Sequence, residues 1–427
     1  MLIRIYNARI WTGEKYIENG ELWIEDGKIR LVSQVCPLIY LPWDREINAE
    51  GNLVMPSFKN AHAHSPMVFL RSYADDTALD EWLHTQVFPR EAKLTRDDCY
   101  WLTKLAIAEY LSSGISLASD MYFHLDGIAE ACQECGFRNV ILEGITEGNG
   151  PKDKLFKRLE WGMDTMKKTG NLIEYRLGLH AEYTNSEQNI QAMAEFAKAH
   201  KMPVYTHLSE TKKEVEECVE RHGTTPAVYL AKQGLFDFGG VVYHCVHPTD
   251  DDIKVLKEHN VSVISCPASN LKLASGIAPL QKLVESGINV GLGTDGPASN
   301  NCLDMFREIF LASGLQKAVL SNPSAMDGEF VLKMATYNNA WAMGMNNLDT
   351  IEIGKSADLI MIDLHQPNMQ PVNNVLKNIV YAGSKSNVLM TIVAGKILYE
   401  KGEYNIGTDI DEIYSKCGEI TKRIISQ

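Results

Sequence analysis

The sequence predicts an α/β protein: a (β/α)8 TIM-like barrel carrying a small β-sandwich built from both ends of the chain. Three observations lead there. β-rich runs near the two termini bracket a middle of different character. In that middle, from residue 54 to 295, eight apolar β-like runs alternate with helical ones. Residues of metal-binding and acid–base type recur where those runs stop, the end at which barrel enzymes place their chemistry.

The first residues read as short alternating strands, "LIRIYNARIWTG", "GELWIEDGKIRLVSQ" and "INAEGNLVM", split by Gly and Asn turns. Near the other end "ADLIMIDL", "KNIVYAG" and "VLMTIVAGKILYEKGEY" repeat the pattern as strands and a hairpin. Residues 1–53 and 350–427 are therefore expected to form one small β-sandwich domain, and residues 54–349 the barrel. The eight barrel runs are "LVMPSFKNAHAH", "ISLASDMYF", "RNVILEGI", "IEYRLGLH", "MPVYTHL", "GVVYHCV", "VSVISCP" and "INVGLGTD". Between them lie helical stretches such as "DDCYWLTKLAIAEYLSSG", "SEQNIQAMAEFAKAH" and "DDIKVLKEHN".

Composition narrows the function. The 427 residues are 45% hydrophobic and 22% charged, an ordinary globular balance. A net charge of −14 argues against a nucleic-acid partner, because a phosphate backbone wants a basic surface. The nine cysteines are scattered. "CQEC", Cys132 to Cys135, sits in the helical pattern "DGIAEACQECGF" and has no second CxxC, so packed free thiols of a reducing cytoplasm fit better than a zinc knuckle. "MLIRIYNARIWTG" reads as a strand and turn rather than a signal sequence, and no apolar run approaches the ~18 residues of a membrane helix. A cytoplasmic protein with no membrane partner is expected.

Reading the strand ends in turn gives His62 and His64, then His180, His207, His244 and Asp295. His62 and His64 stand at i and i+2, so on a strand they share a face. Joined across the barrel mouth by His207 and Asp295, they make a three-histidine, one-carboxylate site suited to Zn²⁺ or Fe²⁺ with room for a water. A water beside such a cation ionises near neutral pH. Glu210, three residues past His207 in "THLSET", is placed to move a proton from that water to a leaving amine. The plain alternative for Glu210 is a solvated acid at a helix start. His244 polarises the same water or is a satisfied core histidine. Asp120 and His124 are expected to be structural.

"NAHAH", "THLSET", "YHCVHP", "CPASNLKLASGIAP" and "GTDGPASNN" occur in that order with barrel spacing. They resemble the amidohydrolase superfamily, its aminohydrolase and chlorohydrolase branch, and within it most the methylthioadenosine/S-adenosylhomocysteine deaminases. The resemblance covers nearly the whole chain. It implies one divalent metal on His62, His64, His207 and Asp295, with Glu210 as proton shuttle and His244 and Asp295 assisting the attack. It implies hydrolytic deamination: hydroxide adds to the amino-bearing ring carbon of an adenosine-type nucleoside and ammonia leaves. Glu91, in "EWLHTQVFPREAKLT", matches the glutamate that holds the ribose hydroxyls, as a carboxylate suits a diol. Its alternative is a surface charge on a helix. His180, in "LGLHAEYT", matches the histidine that contacts the nucleoside. A homo-oligomer, a dimer or larger, is implied too.

The chain departs from the family in "VILEGITEGNG". Glu143 stands where homocysteine-accepting members carry an arginine, and Lys154 is at best the counterpart of a second one. An acid at that point of the substrate-binding set is expected to repel an anionic tail, favouring 5′-methylthioadenosine, 5′-deoxyadenosine or adenosine over S-adenosylhomocysteine. Three alternatives stand beside this. One is a deaminase of a free base such as guanine or a pterin, against which Glu91 argues. Another is a triazine-type amino- or chlorohydrolase using the same site. The last is a non-catalytic barrel serving as a binding scaffold.

Overall fold

The computed structural model describes residues 1–34, 41–77, 79–147 and 152–426. Strands β1 (Leu2–Trp11), β2 (Tyr16–Glu25), β3 (Lys28–Ser33), β4 (Arg45–Asn48) and β5 (Leu53–Pro56) come first. The barrel strands follow: β6 (Phe58–Ala63), β7 (Ile115–Tyr122), β8 (Arg138–Glu143), β9 (Ile173–Leu179), β10 (Val204–Leu208), β11 (Gly240–His244), β12 (Val261–Ser265) and β13 (Val290–Leu292). The chain returns through β14 (Leu359–Ile362), β15 (Val388–Val393), β16 (Lys396–Glu400) and β17 (Glu403–Tyr404).

β6 to β13 form one eight-stranded sheet in sequence order, each pair parallel, as the eight apolar runs require. Side chains close the seam between the first and last strands. Asn339 Nδ2 donates to the carbonyls of Lys59 and Leu292, each at 2.6 Å, while Leu292 N donates to Asn339 Oδ1 at 2.8 Å. Asn60 and Thr294 exchange two further bonds at 2.7 and 2.8 Å. Gly293 makes this approach possible, since a Cβ there would sit 2.8 Å from the backbone nitrogen of His62.

The terminal strands form one nine-stranded sheet in the order β17-β16-β15-β14-β5-β1-β2-β3, with β4 on β1, and differ from expectation in detail. Its buried face carries Ile3, Ile5, Ile10, Leu22, Val54 and Ile392. The run "LVMPSFKNAHAH" is two strands, so residues 54–56 belong to the terminal sheet: β5 pairs with β1 and β14, and β6 opens the barrel. Ser57 is the crossing point, its amide bonded to Asp358 O at 3.1 Å and its hydroxyl to Ser116 Oγ at 2.6 Å.

"KNIVYAG" is not a strand but lies largely in the helix Val375–Tyr381, capped by Asn374, with Val375, Leu376, Ile379 and Val380 buried on one face. The final helix, Ile410–Ile425, packs on the barrel helix Arg96–Ser112 rather than completing the small domain. The CQEC cysteines lie buried and unbridged on the helix Leu125–Cys135. No helix among the described residues is long and apolar enough to cross a membrane.

Candidate active site

Every strand-end residue picked out in the sequence reaches the C-terminal mouth of the barrel. His62 lies on β6 and His64 just beyond it, with ring centroids 4.8 Å apart. His207 comes from β10, and its ring stacks between those of His64 (5.5 Å) and His244 (5.4 Å). Ser209 (φ +50°), His244 (φ +67°) and Asp295 (φ +63°), at or just beyond strand ends, adopt left-handed backbone without being glycine. Such conformations are costly for side-chain-bearing residues and concentrate at functional sites; here they turn the chain just where a side chain must aim into the mouth.

The ligand atoms of His62, His64 and His207 lie within 4.8 Å of one another, as do those of His62, His244 and Asp295. Asp295 Oδ1 is 3.4 Å from His62 Nε2 and 3.3 Å from His64 Nε2. The imidazoles are pre-oriented. His64 Nδ1 donates to Met121 O and His207 Nδ1 to His180 O, both at 2.6 Å, which leaves each Nε2 facing the site. His62 is fully buried, and neither of its ring nitrogens has a hydrogen-bond partner. A buried imidazole without a partner is expensive in a protein interior unless something binds it.

Electrostatics point the same way. Burial pushes the His62 pKa down to about 3 and that of His207 well below the usual imidazole range. Burial acts against charge on His64 as well, yet the Asp295 carboxylate outweighs it and raises that pKa to about 9. Burial would raise Asp295, but the close approach of His62 and His64 holds it well below the ordinary carboxylate range. The pocket thus keeps an anion and demands a cation beside it, while His62 and His207 supply neutral nitrogen donors. Three imidazoles and one carboxylate fit a divalent metal.

Glu210 is buried, and its Oε2 lies 3.8 Å from His244 Nε2. Burial raises its pKa. Ser275 donates to its Oε1 at 3.3 Å. The helix Lys212–His222 starts only after Thr211, and the first-turn acid of that helix is Glu214. Glu214 takes the backbone amides of Ser209 (2.6 Å) and Glu210 (2.8 Å). Glu210 is therefore no solvated helix-start acid: a second glutamate fills that role and holds the turn that presents it.

These groups form one end of a cavity of about 830 Å³. Glu91 lies on its wall at the end of the helical segment that starts at Leu79, buried rather than solvated, and accepts from the Tyr122 hydroxyl at 2.6 Å. Burial raises its pKa, with Tyr122 opposing. His180 also lines the cavity, its Nδ1 3.0 Å from Thr184 Oγ1. Asp120 accepts the Ser65 amide at 2.8 Å just after His64. His124 meets Leu94 O at 3.1 Å, yet it reaches the cavity edge too.

Glu143 requires a correction. It does not line the cavity and presents no open anion to a substrate. Its side chain is only 4% exposed, and Oε1 is paired with Arg158 Nη2. Lys154, read from the sequence as at best the counterpart of a second arginine, is exposed on the helix Lys152–Met166; Arg158, one turn further along, is the residue that reaches the cavity wall.

Sequence reasoning missed the side chains that hold these groups. Asp295 Oδ2 accepts from Ser269 at 2.5 Å and Ser299 at 2.8 Å, leaving Oδ1 toward the histidines. Asn270 Oδ1 meets His244 Nδ1 at 2.8 Å, and Tyr243 stacks on His62 with centroids 3.6 Å apart. "CPASNLKLASGIAP" was the available signal: Ser269, Asn270 and Ser275 all come from it, each directed at a different one of Asp295, His244 and Glu210.

The amidohydrolase family pattern matches residues 53–398. The 5-methylthioadenosine/S-adenosylhomocysteine deaminase of Moorella thermoacetica is 40% identical over 417 residues, covering 96% of this chain and 95% of its own. The enzyme of the same name from Pyrococcus furiosus is 39% identical over 405 residues, covering 94% and 96%. Among solved structures, an adenosine deaminase from Xanthomonas campestris with bound zinc superposes with a TM-score of 0.92 at 32% identity, over 100% of this chain and 98% of that one. An atrazine chlorohydrolase from Arthrobacter aurescens complexed with zinc shares the fold alone, with a TM-score of 0.89 at 21% identity over 98% of this chain and 100% of that one. With its barrel, its histidine–aspartate cluster and these relatives, the chain belongs to the amidohydrolase family.

Proposed function

We propose that this hydrolase deaminates an adenosine-type purine nucleoside, releasing ammonia and leaving the inosine analogue. One observation carries the reading: a histidine–aspartate metal cluster and the buried carboxylate of Glu91 line the same cavity, so one ligand can meet both. His62, His64, His207 and Asp295 would hold a single divalent cation, Zn²⁺ by the softness of three imidazoles and one carboxylate. Such a cation lowers the pKa of a water so that a nucleophile is present at neutral pH.

The chain's own groups do the rest. Glu210, with its raised pKa, is suited to take a proton from the attacking water and return it to the purine ring and the departing amine. The carbon–oxygen bond forms first and the carbon–nitrogen bond then breaks; of the water's two protons, one ends on the ring nitrogen and one on the departing ammonia. His244, held from behind by Asn270, faces Glu210 and orients the water. Glu91, fixed by Tyr122, accepts from the ribose diol, and His180 contacts the nucleoside. Phe88, Val87, Leu83 and Trp82 cover the cavity with apolar surface that excludes water. We read the chain as a cytoplasmic homo-oligomer, which rests on the resemblance; sedimentation of the purified protein checks the assembly.

The test is ammonia release by metal-replete protein from purine nucleosides, free purine or pterin bases and an aminotriazine. Nucleosides of the adenosine type are expected to be turned over at least tenfold better than any base. Preference for a free base, or chloride release from a chlorotriazine as the main activity, would refute it.

A further inference from the structure

We propose that the Glu143–Arg158 pair selects against substrates with an anionic 5′ substituent; this builds on the nucleoside-deaminase reading. Arg158 is 39% exposed at its side chain and stands on the cavity wall beside Gly144, Thr146 and Tyr183. Glu143 lies behind it, with Oε1 against the guanidinium and Oε2 buried without a hydrogen-bond partner. Burial raises the Glu143 pKa, and the hydrogen bond and charge of Arg158 oppose that shift.

A substrate carboxylate reaching this wall would have to draw Arg158 toward itself. Glu143 would then be left as a buried anion with one oxygen already unpartnered, which is among the costliest arrangements a protein can hold. The second guanidinium on the wall gives no alternative. Arg221 is held by Glu182 at 2.6 Å and Glu217 at 3.7 Å. Glu147, also on the wall, adds a further acid. His124, the other basic side chain near Glu143, directs Nε2 to Leu94 O instead. Arg158 and Arg221 are thus each already paired with a buried glutamate behind the wall, and the acids on the wall itself, Glu147 and Glu217, offer an anion nothing. A neutral 5′ group disturbs neither ion pair.

The experiment compares kcat/KM for 5′-methylthioadenosine and S-adenosylhomocysteine in metal-loaded wild type, Glu143→Gln and the double variant Glu143→Gln/Arg158→Met. Wild type is expected to prefer the methylthio compound by about tenfold or more, the scale of one charge-assisted hydrogen bond. Glu143→Gln frees the guanidinium and shifts the ratio toward the homocysteine compound by about tenfold. The double variant has no buried charge to strand and no cation to offer, so its ratio falls between the two; it also serves if the single variant folds poorly. Wild-type preference for the homocysteine compound, or the same ratio in all three proteins, overturns the proposal. Absence of ammonia from either compound in wild type refutes the deaminase reading instead, and calorimetric affinities of the two compounds then read the same ratio.

Discussion

Removing the serine hydroxyls behind Asp295 is expected to weaken metal binding without unfolding the barrel. Asp295 Oδ2 accepts from Ser269 at 2.5 Å and Ser299 at 2.8 Å, and these two bonds fix which oxygen faces His62 and His64. A hydrogen bond to a charged group is worth roughly 1.5–3 kcal/mol, and each 1.4 kcal/mol is about tenfold in an equilibrium constant. If most of that orienting energy is exerted on the bound state, Ser269→Ala or Ser299→Ala raises the metal dissociation constant about 10- to 100-fold, in the range seen for groups behind metal ligands. The double variant exceeds either single one. Competition with a chromophoric chelator measures the constants, and thermal unfolding of the metal-free proteins controls for loss of fold. Wild-type affinity in both single variants would show that Asp295 is oriented by something else.

Three further outcomes follow from the geometry. Glu210→Gln is expected to retain one bound metal while kcat falls about 10²- to 10⁴-fold, read by metal analysis and ammonia release; loss of metal instead would make Glu210 a ligand. Tyr122→Phe removes the 2.6 Å bond to Glu91 and is expected to raise KM for ribosides about five- to tenfold, with slow turnover of free adenine unaffected; equal effects on both would detach Glu91 from the ribose. The buried Lys59 has its pKa lowered by burial from 10.5 to about 8. The unfolded chain binds the extra proton between those values, so the burial penalty applies fully below pH 8 and stability rises by roughly 3 kcal/mol from pH 8 to 10.5. Lys59→Met is expected to flatten that rise in urea titrations, and an unchanged slope would contradict it.

The barrel strands were legible because each is a largely apolar run between helical stretches, all but β9 buried throughout, and the polar residues ending five of the runs mark the mouth. What was not legible depends on contacts between distant segments. Leu53–Pro56 and Phe58–Ala63 form one nearly continuous run in the sequence; pairing with Leu2–Trp11 and Leu359–Ile362 assigns the first part to the other sheet. In Val375–Tyr381 a short β-branched stretch hides a helical face, and the Asn374 cap decides it. His62, His64, His207 and Asp295 could be found because ligand types at strand ends are conspicuous. Ser269 and Asn270 could not be assigned roles, since serine and asparagine at a short helix start have many uses. Position-by-position likeness made Glu143 an open acid, but a helix folding back over the strand end brings Arg158 onto it.

The account rests on a single metal at the His62, His64, His207 and Asp295 cluster supporting deamination of a nucleoside. Titrating metal-free protein with Zn²⁺ while following ammonia release from 5′-methylthioadenosine tests this most directly. Activity is expected to rise linearly and level off at one equivalent, with His62→Ala showing neither the activity nor the tight binding step. Full activity in metal-free protein, saturation only at two equivalents, or metal uptake that brings no deamination would contradict the account.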